Sequence, residues 1–198
     1  MKSNEKMINR FEDALTELLK IKHLSKITVT DITGQCNVTR QIFYRYFEDK
    51  FHLVAYICNN QYKENLQISN TFECNTTILN LINGIKAQKE FYQYAVQNDS
   101  DNVIYNIMYN HTVGMYRGVI QYRTGKLLSD NINFLLILYC RGGIDILIDW
   151  IRTGMQMPCE QLRDLFIEAM PDQIFELLTN IEVPVTYLLD CNPCNSTP

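Results

Sequence analysis

The chain has 198 residues, is 46% hydrophobic and carries a formal net charge of -4. That length suffices for one sizeable core or two small ones. It contains no run of about 18 apolar residues, so no membrane-spanning helix is expected. The N-terminus leads into an amphipathic segment unlike a signal peptide, and a cytoplasmic location is the expectation. The charge is unevenly placed: residues 1–66 hold 10 Lys+Arg against 8 Asp+Glu, and the remainder holds 8 against 14. An acidic total therefore does not exclude a nucleic-acid partner, because affinity for phosphates follows the local field.

The first predicted helix runs from Glu5 to Lys22, with Ile8, Phe11, Leu15, Leu18 and Leu19 as its apolar stripe. Two short helices follow. Thr28 is placed to cap the first, and Asp31 at its third position can close a capping box. Val29, Ile32 and Cys36 recur at helical spacing and point inward. Asn37 falls where the turn needs a left-handed residue, with Val38 as an apolar plug beneath it. Thr39 caps the second short helix. Phe43 and Phe47, four apart, share its buried face. Gln41 and Arg45 each lie about 160° from Phe43 at 100° per residue, so both face outward. Ile42 and Tyr44 flank that face, and Arg40 sits at the helix start. Gln suits adenine edges, Arg suits guanine or phosphate, and Ile42 suits a thymine methyl. This is the layout of a helix-turn-helix whose second helix enters the major groove of DNA.

Thr28-Val29-Thr30-Asp31-Ile32, Cys36-Asn37-Val38-Thr39, Phe43-Tyr44-Arg45-Tyr46-Phe47 and Lys50, in that order, resemble the TetR family of bacterial transcriptional regulators. The resemblance covers roughly residues 8 to 58. It departs from the family pattern at Asn37 (usually Gly), at Tyr46 (usually His) and at Phe51-His52 (usually acidic). It implies that Thr30, Tyr44, Tyr46 and Lys50 hold phosphates, while Arg40, Gln41, Ile42 and Arg45 read bases or the adjoining backbone. The capping residues Thr28 and Thr39 join this DNA-facing set. Two alternatives stay open: Tyr46 also reads as a packing residue, and Lys50 as a solvated charge.

Further along, Asp49 can cap a helix from Lys50 to about Leu66, with Phe51, Val54, Ile57 and Cys58 on its apolar side. In the resembling family this helix joins the DNA head to the body. A polar break over residues 69–77 precedes a helix expected from about Thr76 to Val96. Others are expected over Asp101–Arg123, from Ser129 or Asp130 to Met155, from Pro158 to Met170, and from Pro171 to Asn180. Residues 182–189 are the one stretch that reads as extended. The fold class expected is all-α: an N-terminal three-helix DNA-binding domain (1–48), a larger helical domain for ligand and dimerisation (49–182) and a C-terminal tail (183–198).

Tyr105, Met108, Tyr109, Thr112, Met115 and Tyr116 form a stripe on one body helix. It reads either as core packing or as the lining of a cavity for apolar or aromatic compounds with a polar handle. Gly142, Gly143 and Gly154 sit in or at the end of the long helix, where glycine costs about 1 kcal/mol against Ala; close approach of another helix would explain them. Gly143, Leu147, Trp150, Phe166 and Ile174 are accordingly the candidate dimer contacts. The segment from Tyr139 to Met155 is weakly similar to a subgroup containing regulators of dihydroxyacetone utilisation, in which a protein partner can supply the signal. No metal site, cofactor or catalytic set is expected. His23, His52 and His111 are scattered singly, and the seven cysteines read as reduced core residues. Cys191-x-x-Cys194 reads as incidental thiols in a tail, with a redox or metal sensor as the alternative. The function expected is a homodimeric, sequence-specific repressor on a pseudo-palindromic double-stranded DNA site, released by a small-molecule effector. The alternative is a co-regulator whose C-terminal domain responds to a protein partner.

Overall fold

The computed structural model describes residues 2–97 and 102–190, and the fold is all-α, with 75% of residues helical. Helix α1 (Lys2–Leu19) buries Phe11, Ala14, Leu15, Leu18 and Leu19. A 3-10 turn (Leu24–Lys26) leads to α2 (Val29–Gln35), a tight turn and α3 (Arg40–Phe43). The capping box on α2 is complete: Thr28 Oγ1 accepts from the Asp31 amide, and Asp31 accepts from the Thr28 amide at 2.8 Å. Lys22 pairs with the Asp31 carboxylate at 2.7 Å. The Lys22 ammonium, then the Thr28 amide and hydroxyl, hold that carboxyl down at about 2.

The turn after α2 is a Schellman motif. The Val38 amide reaches back to the Thr33 carbonyl, the Asn37 amide to the Gly34 carbonyl, and Asn37 has φ 49°. Asn37 therefore occupies the left-handed position for which the sequence selects it. Helix α3 is shorter than the sequence suggests; residues 44–46 continue it as a turn. Phe11, Phe43 and Phe47 meet edge-on or tilted, with ring centroids 5.2 to 6.3 Å apart, and Tyr56 joins them at 5.3 Å from Phe47. This aromatic cluster ties α1 and α3 to α4 (Lys50–Leu66).

Helix α4 continues from the head into the body. A two-residue strand β1 (Thr71–Phe72) precedes α5 (Cys74–Ala87) and α6 (Lys89–Gln97). The single helix expected over 76–96 is thus two. Neither Pro nor Gly marks the break at Gln88. Burial of Phe91, Tyr92, Ala95 and Val96 on α6, which packs against α1 and against α8 (Asp130–Arg152), sets the new direction. Lys20 bridges Glu17 and Glu90, linking α1 to α6 across the head–body boundary. Helix α7 (Val103–Thr124) lies against α4 and α8; α9 (Cys159–Glu168) and α10 (Asp172–Leu178) close the body.

Residues 183–190, expected as the start of a tail and largely extended, are instead ordered onto the body. Strand β2 (Val183–Pro184) pairs antiparallel with β1, and α11 (Val185–Asp190) packs on α7, burying Val183, Val185 and Leu188. Cys36, Cys58, Cys74, Cys140 and Cys159 are buried and form no disulfide; Cys191 and Cys194 lie outside the described residues. No described helix is long and apolar enough to cross a membrane.

Candidate nucleic-acid interface and internal cavity

The core of the head dictates what its outer face presents. With Phe43 and Phe47 turned in, Thr39, Arg40, Gln41, Tyr44 and Arg45 are all exposed, and Thr28 and Thr30 are exposed beside them on α2. The Arg40 guanidinium donates to the Tyr44 hydroxyl at 3.2 Å and lies 5.8 Å from its ring centre, so these two side chains are ordered together. The Thr39 side chain makes no capping bond and is exposed. Ile42 is half-buried against the core and offers only part of its side chain outward.

Two residues assigned to phosphates are engaged elsewhere. Lys50 donates to the carbonyl oxygens of Leu24, Ser25 and Ile27 at 2.6, 2.9 and 2.7 Å. A primary ammonium has three N–H donors, and here each has a backbone carbonyl at the negative end of the 3-10 turn. Lys50 therefore clamps α4 to the loop before α2, and a phosphate would have to compete with these carbonyls for its donors. Tyr46 is half-buried beside Phe11, and its hydroxyl donates to Asn4 Oδ1 at 3.3 Å. It packs α3 against α1, the alternative its sequence context left open. Arg10 adds a second brace by donating to the Cys36 carbonyl, while the Cys36 thiol donates back to the Arg10 carbonyl at 3.1 Å.

Below the head, α4, α5, α7 and α8 line a half-open cavity of about 110 Å³. Four of the six stripe residues line it: Met108, Thr112, Met115 and Tyr116. Tyr105 and Tyr109 do not. They lie on the flank of α7, ring planes parallel at 6.3 Å, with the Arg141 guanidinium over Tyr109 at 5.3 Å. The sequence stripe ran over two adjacent faces of one helix, and only one of them meets the cavity.

The opposite wall comes from α4, through Cys58, Gln61, Tyr62 and Asn65. These four stand at i, i+3, i+4 and i+7 in the sequence, but the two amides among them fall outside the apolar pattern of the helix. Asn65 donates to the Gln61 carbonyl at 2.6 Å and fills the space that a side chain at Gly84 would need; a Cβ there would fall 2.0 Å from the Asn65 amide nitrogen. His111, read as an isolated histidine, is 5% exposed, lines the cavity and stacks on Tyr62 at 4.1 Å and 16°. Burial, aided by the Lys63 charge, lowers its pKa to about 4, so the ring is neutral at pH 7.

Three phenol hydroxyls of the wall are hydrogen-bonded. Tyr116 donates to Tyr139, whose own hydroxyl donates to the Phe166 carbonyl at 2.7 Å, and Tyr92 donates to the Cys58 sulfur. Burial raises the pKa of all three phenols, so they stay protonated. Gln61 Oε1 differs: it is buried and has no hydrogen-bond partner.

Of the five candidate dimer residues, Leu147, Trp150 and Ile174 are buried within the protomer, and Gly143 and Phe166 are half-buried. Gly143, Leu147 and Phe166 border the cavity. Trp150 is 6% exposed and donates its indole N–H to the Met157 carbonyl at 3.0 Å; Ile174 is 0% exposed. The outward ridge of α8 is one register away, at Phe134, Leu138, Gly142 and Ile146, where the three apolar side chains are 64%, 60% and 55% exposed. Gly142 has open space over its missing side chain, and Gly154 (φ 90°) serves the left-handed turn that ends α8.

A family model for the C-terminal region of TetR-type transcriptional regulators matches residues 73–172. Among solved structures, one titled "Dihydroxyacetone kinase operon activator DhaS" is similar in fold, with a TM-score of 0.62 and 20% identity, over 87% of this chain and 98% of that one. No curated protein matches the chain.

Two outcomes follow from these contacts. Replacing Lys50 by Met removes three charge-assisted hydrogen bonds and should lower stability by about 2 kcal/mol, several degrees in Tm. The salt dependence of DNA binding should be unchanged; a slope reduced by about one with an unaltered Tm would restore the phosphate role. The second concerns acid. Unfolded, the His111 imidazole takes up a proton below about 6.5, whereas folded it does so only near 4. Lowering the pH through that window therefore favours the unfolded chain, by up to about 3 kcal/mol. Denaturant titrations of the His111→Asn variant should lack this part of the pH dependence.

Proposed function

The chain belongs to the TetR family of transcriptional regulators, and from that premise we propose that it acts as a homodimer on a pseudo-palindromic double-stranded DNA site and is controlled by a small molecule held in the α4–α7 cavity. The observation that carries the proposal is the outer face of the head. Thr39, Arg40, Gln41, Tyr44 and Arg45 are exposed together on a helix-turn-helix whose inner face is fixed by Phe11, Phe43 and Phe47. Gln41 and Arg45 are suited to base edges, and Thr30, Thr39 and Tyr44 to phosphates. Residues 20–50 hold 6 basic against 3 acidic side chains, a modest excess, so one head binds weakly and two are needed.

The second copy is placed against the α8 ridge of Phe134, Leu138, Gly142 and Ile146. A two-fold interface is self-complementary, and an apolar ridge with a glycine gap lets two copies of one helix approach closely. Helix α4 then connects ligand to DNA. Its C-terminal half supplies one cavity wall, and its first residue, Lys50, clamps the loop that leads into α2. A guest wedged between α4 and α7 would tilt α4 and carry the head with it, changing the spacing of the two recognition helices. Effector binding then releases the site, and the protein is a repressor. The likeness to a protein titled an operon activator favours a second sign of regulation, in which the bound form recruits transcription.

Fluorescence anisotropy on the inverted repeat nearest the gene tests the DNA arm. Gln41→Ala should relax base preference at one position in each half-site by about tenfold, while affinity for unrelated DNA stays the same. Leu138→Glu should yield a monomer in sedimentation velocity and lose specific binding. A variant that stays dimeric would remove the α8 ridge from the interface. A reporter fused to the same site decides the sign: deletion of the gene raises expression for a repressor and lowers it for an activator.

A further inference from the structure

The chemistry of the cavity wall narrows what can occupy it. None of the residues lining the cavity is Lys, Arg, Asp or Glu, and His111 is held neutral. An ion entering here would lose its hydration and find no counter-charge, which is strongly unfavourable. The wall is otherwise apolar, combining seven Ile and Leu side chains with Met108, Met115 and the rings of Tyr62, Tyr92, Tyr116, Tyr139 and Phe166. Sulfur and ring edges favour a flat aromatic guest over a flexible chain. The volume, about 110 Å³, is comparable with the ~150 Å³ in which an apolar protein cavity holds benzene. One ring with a small substituent is the size that fits.

Polarity fixes the substituent. The hydroxyls of Tyr92, Tyr116 and Tyr139 are already engaged, with Cys58, with each other and with the Phe166 carbonyl. Gln61 Oε1 is a buried acceptor with no donor. Its neighbour Asn65 is fixed by its bond to the Gln61 backbone and by the gap over Gly84, so it cannot swing in to supply one. A buried amide oxygen without a donor is an unfavourable arrangement that a guest carrying an O–H or N–H would relieve. We infer that the cavity selects a small uncharged aromatic molecule bearing one hydrogen-bond donor, a phenol-class compound, with Gln61 as the residue that reads the donor.

This inference rests on the effector reading of the cavity, but its test does not depend on DNA. Isothermal titration of the full-length protein at pH 7 with phenol, anisole and benzoate separates the requirements. Phenol offers the donor, anisole the same ring without it, and benzoate a charge. Phenol should bind about tenfold or more tightly than anisole, and benzoate should not bind. In Gln61→Leu, phenol and anisole should bind within about twofold of each other, with anisole no weaker than in the wild type. Should that variant fail to fold, the wild-type comparison decides alone. Equal binding of phenol and anisole, binding of benzoate, or no binding of any of the three overturns the inference. Operator affinity measured with and without phenol keeps the two readings apart. Selective phenol binding that leaves the operator complex intact supports the assigned ligand class and sinks the effector role.

Discussion

One helix has to satisfy two cores at once. Over Lys50–Leu66 only Glu64 is exposed. His52 and Tyr56 meet Phe47 of the head at 5.6 and 5.3 Å, and Cys58, Gln61, Tyr62 and Asn65 line the cavity of the body. A surface helix has one apolar stripe; a helix buried nearly all round has none, and its position is set by both neighbours together. Everything functional in the molecule leans on that. The recognition face is held through Phe47 and Lys50 at one end of α4, and the cavity is walled by Gln61 and Asn65 at the other. A rigid rod shared by two cores transmits a shift at one end to the other, because packed interiors do not absorb displacement smoothly.

The cavity follows the same economy of contacts. Interiors of this composition normally fill themselves, yet α8 places Gly143 beside the space, and the rings of Tyr116 and Tyr139 are held by their own hydrogen bonds. Tyr116, Tyr139 and the Phe166 carbonyl form a chain across α7, α8 and α9. Such a chain fixes rotamers and keeps the wall from collapsing inward. His111 contributes a flat neutral face and not a charge, since burial keeps its proton off down to about pH 4.

The sequence made the head legible residue by residue because its rules are local. A capping box spans four residues, a Schellman turn six, and the inward pair Phe43 and Phe47 is one helical turn. The outward direction of Gln41 and Arg45 follows from those by rotation alone. Lys50 shows where this stops. A lysine at the start of a helix in a DNA-binding head has two uses for its charge, and only the approach of residues 24–27 selects the carbonyls. The body was legible as helices but not as faces. Tyr105 and Met108 lie on neighbouring faces of α7, and Leu147 and Ile146 on opposite sides of α8, all apolar. Nothing in periodicity says which side meets the protomer and which meets another chain. The break at Gln88 and the ordering of residues 183–190 were invisible for a related reason: no Gly or Pro forces the first, and pairing with a strand more than a hundred residues upstream makes the second.

What the sequence determined by itself, then, was the class of protein and which side chains its second short helix exposes. Both depend on contacts between residues a few positions apart, where backbone geometry leaves few alternatives. What only the tertiary structure decided was the use of shared or ambiguous side chains: Lys50 as a clamp, Trp150 and Ile174 as core, Gly142 as a gap on an open ridge, Gln61 as the buried acceptor in the cavity. Those roles are fixed by which helix lies opposite, and that is the outcome of packing the whole chain.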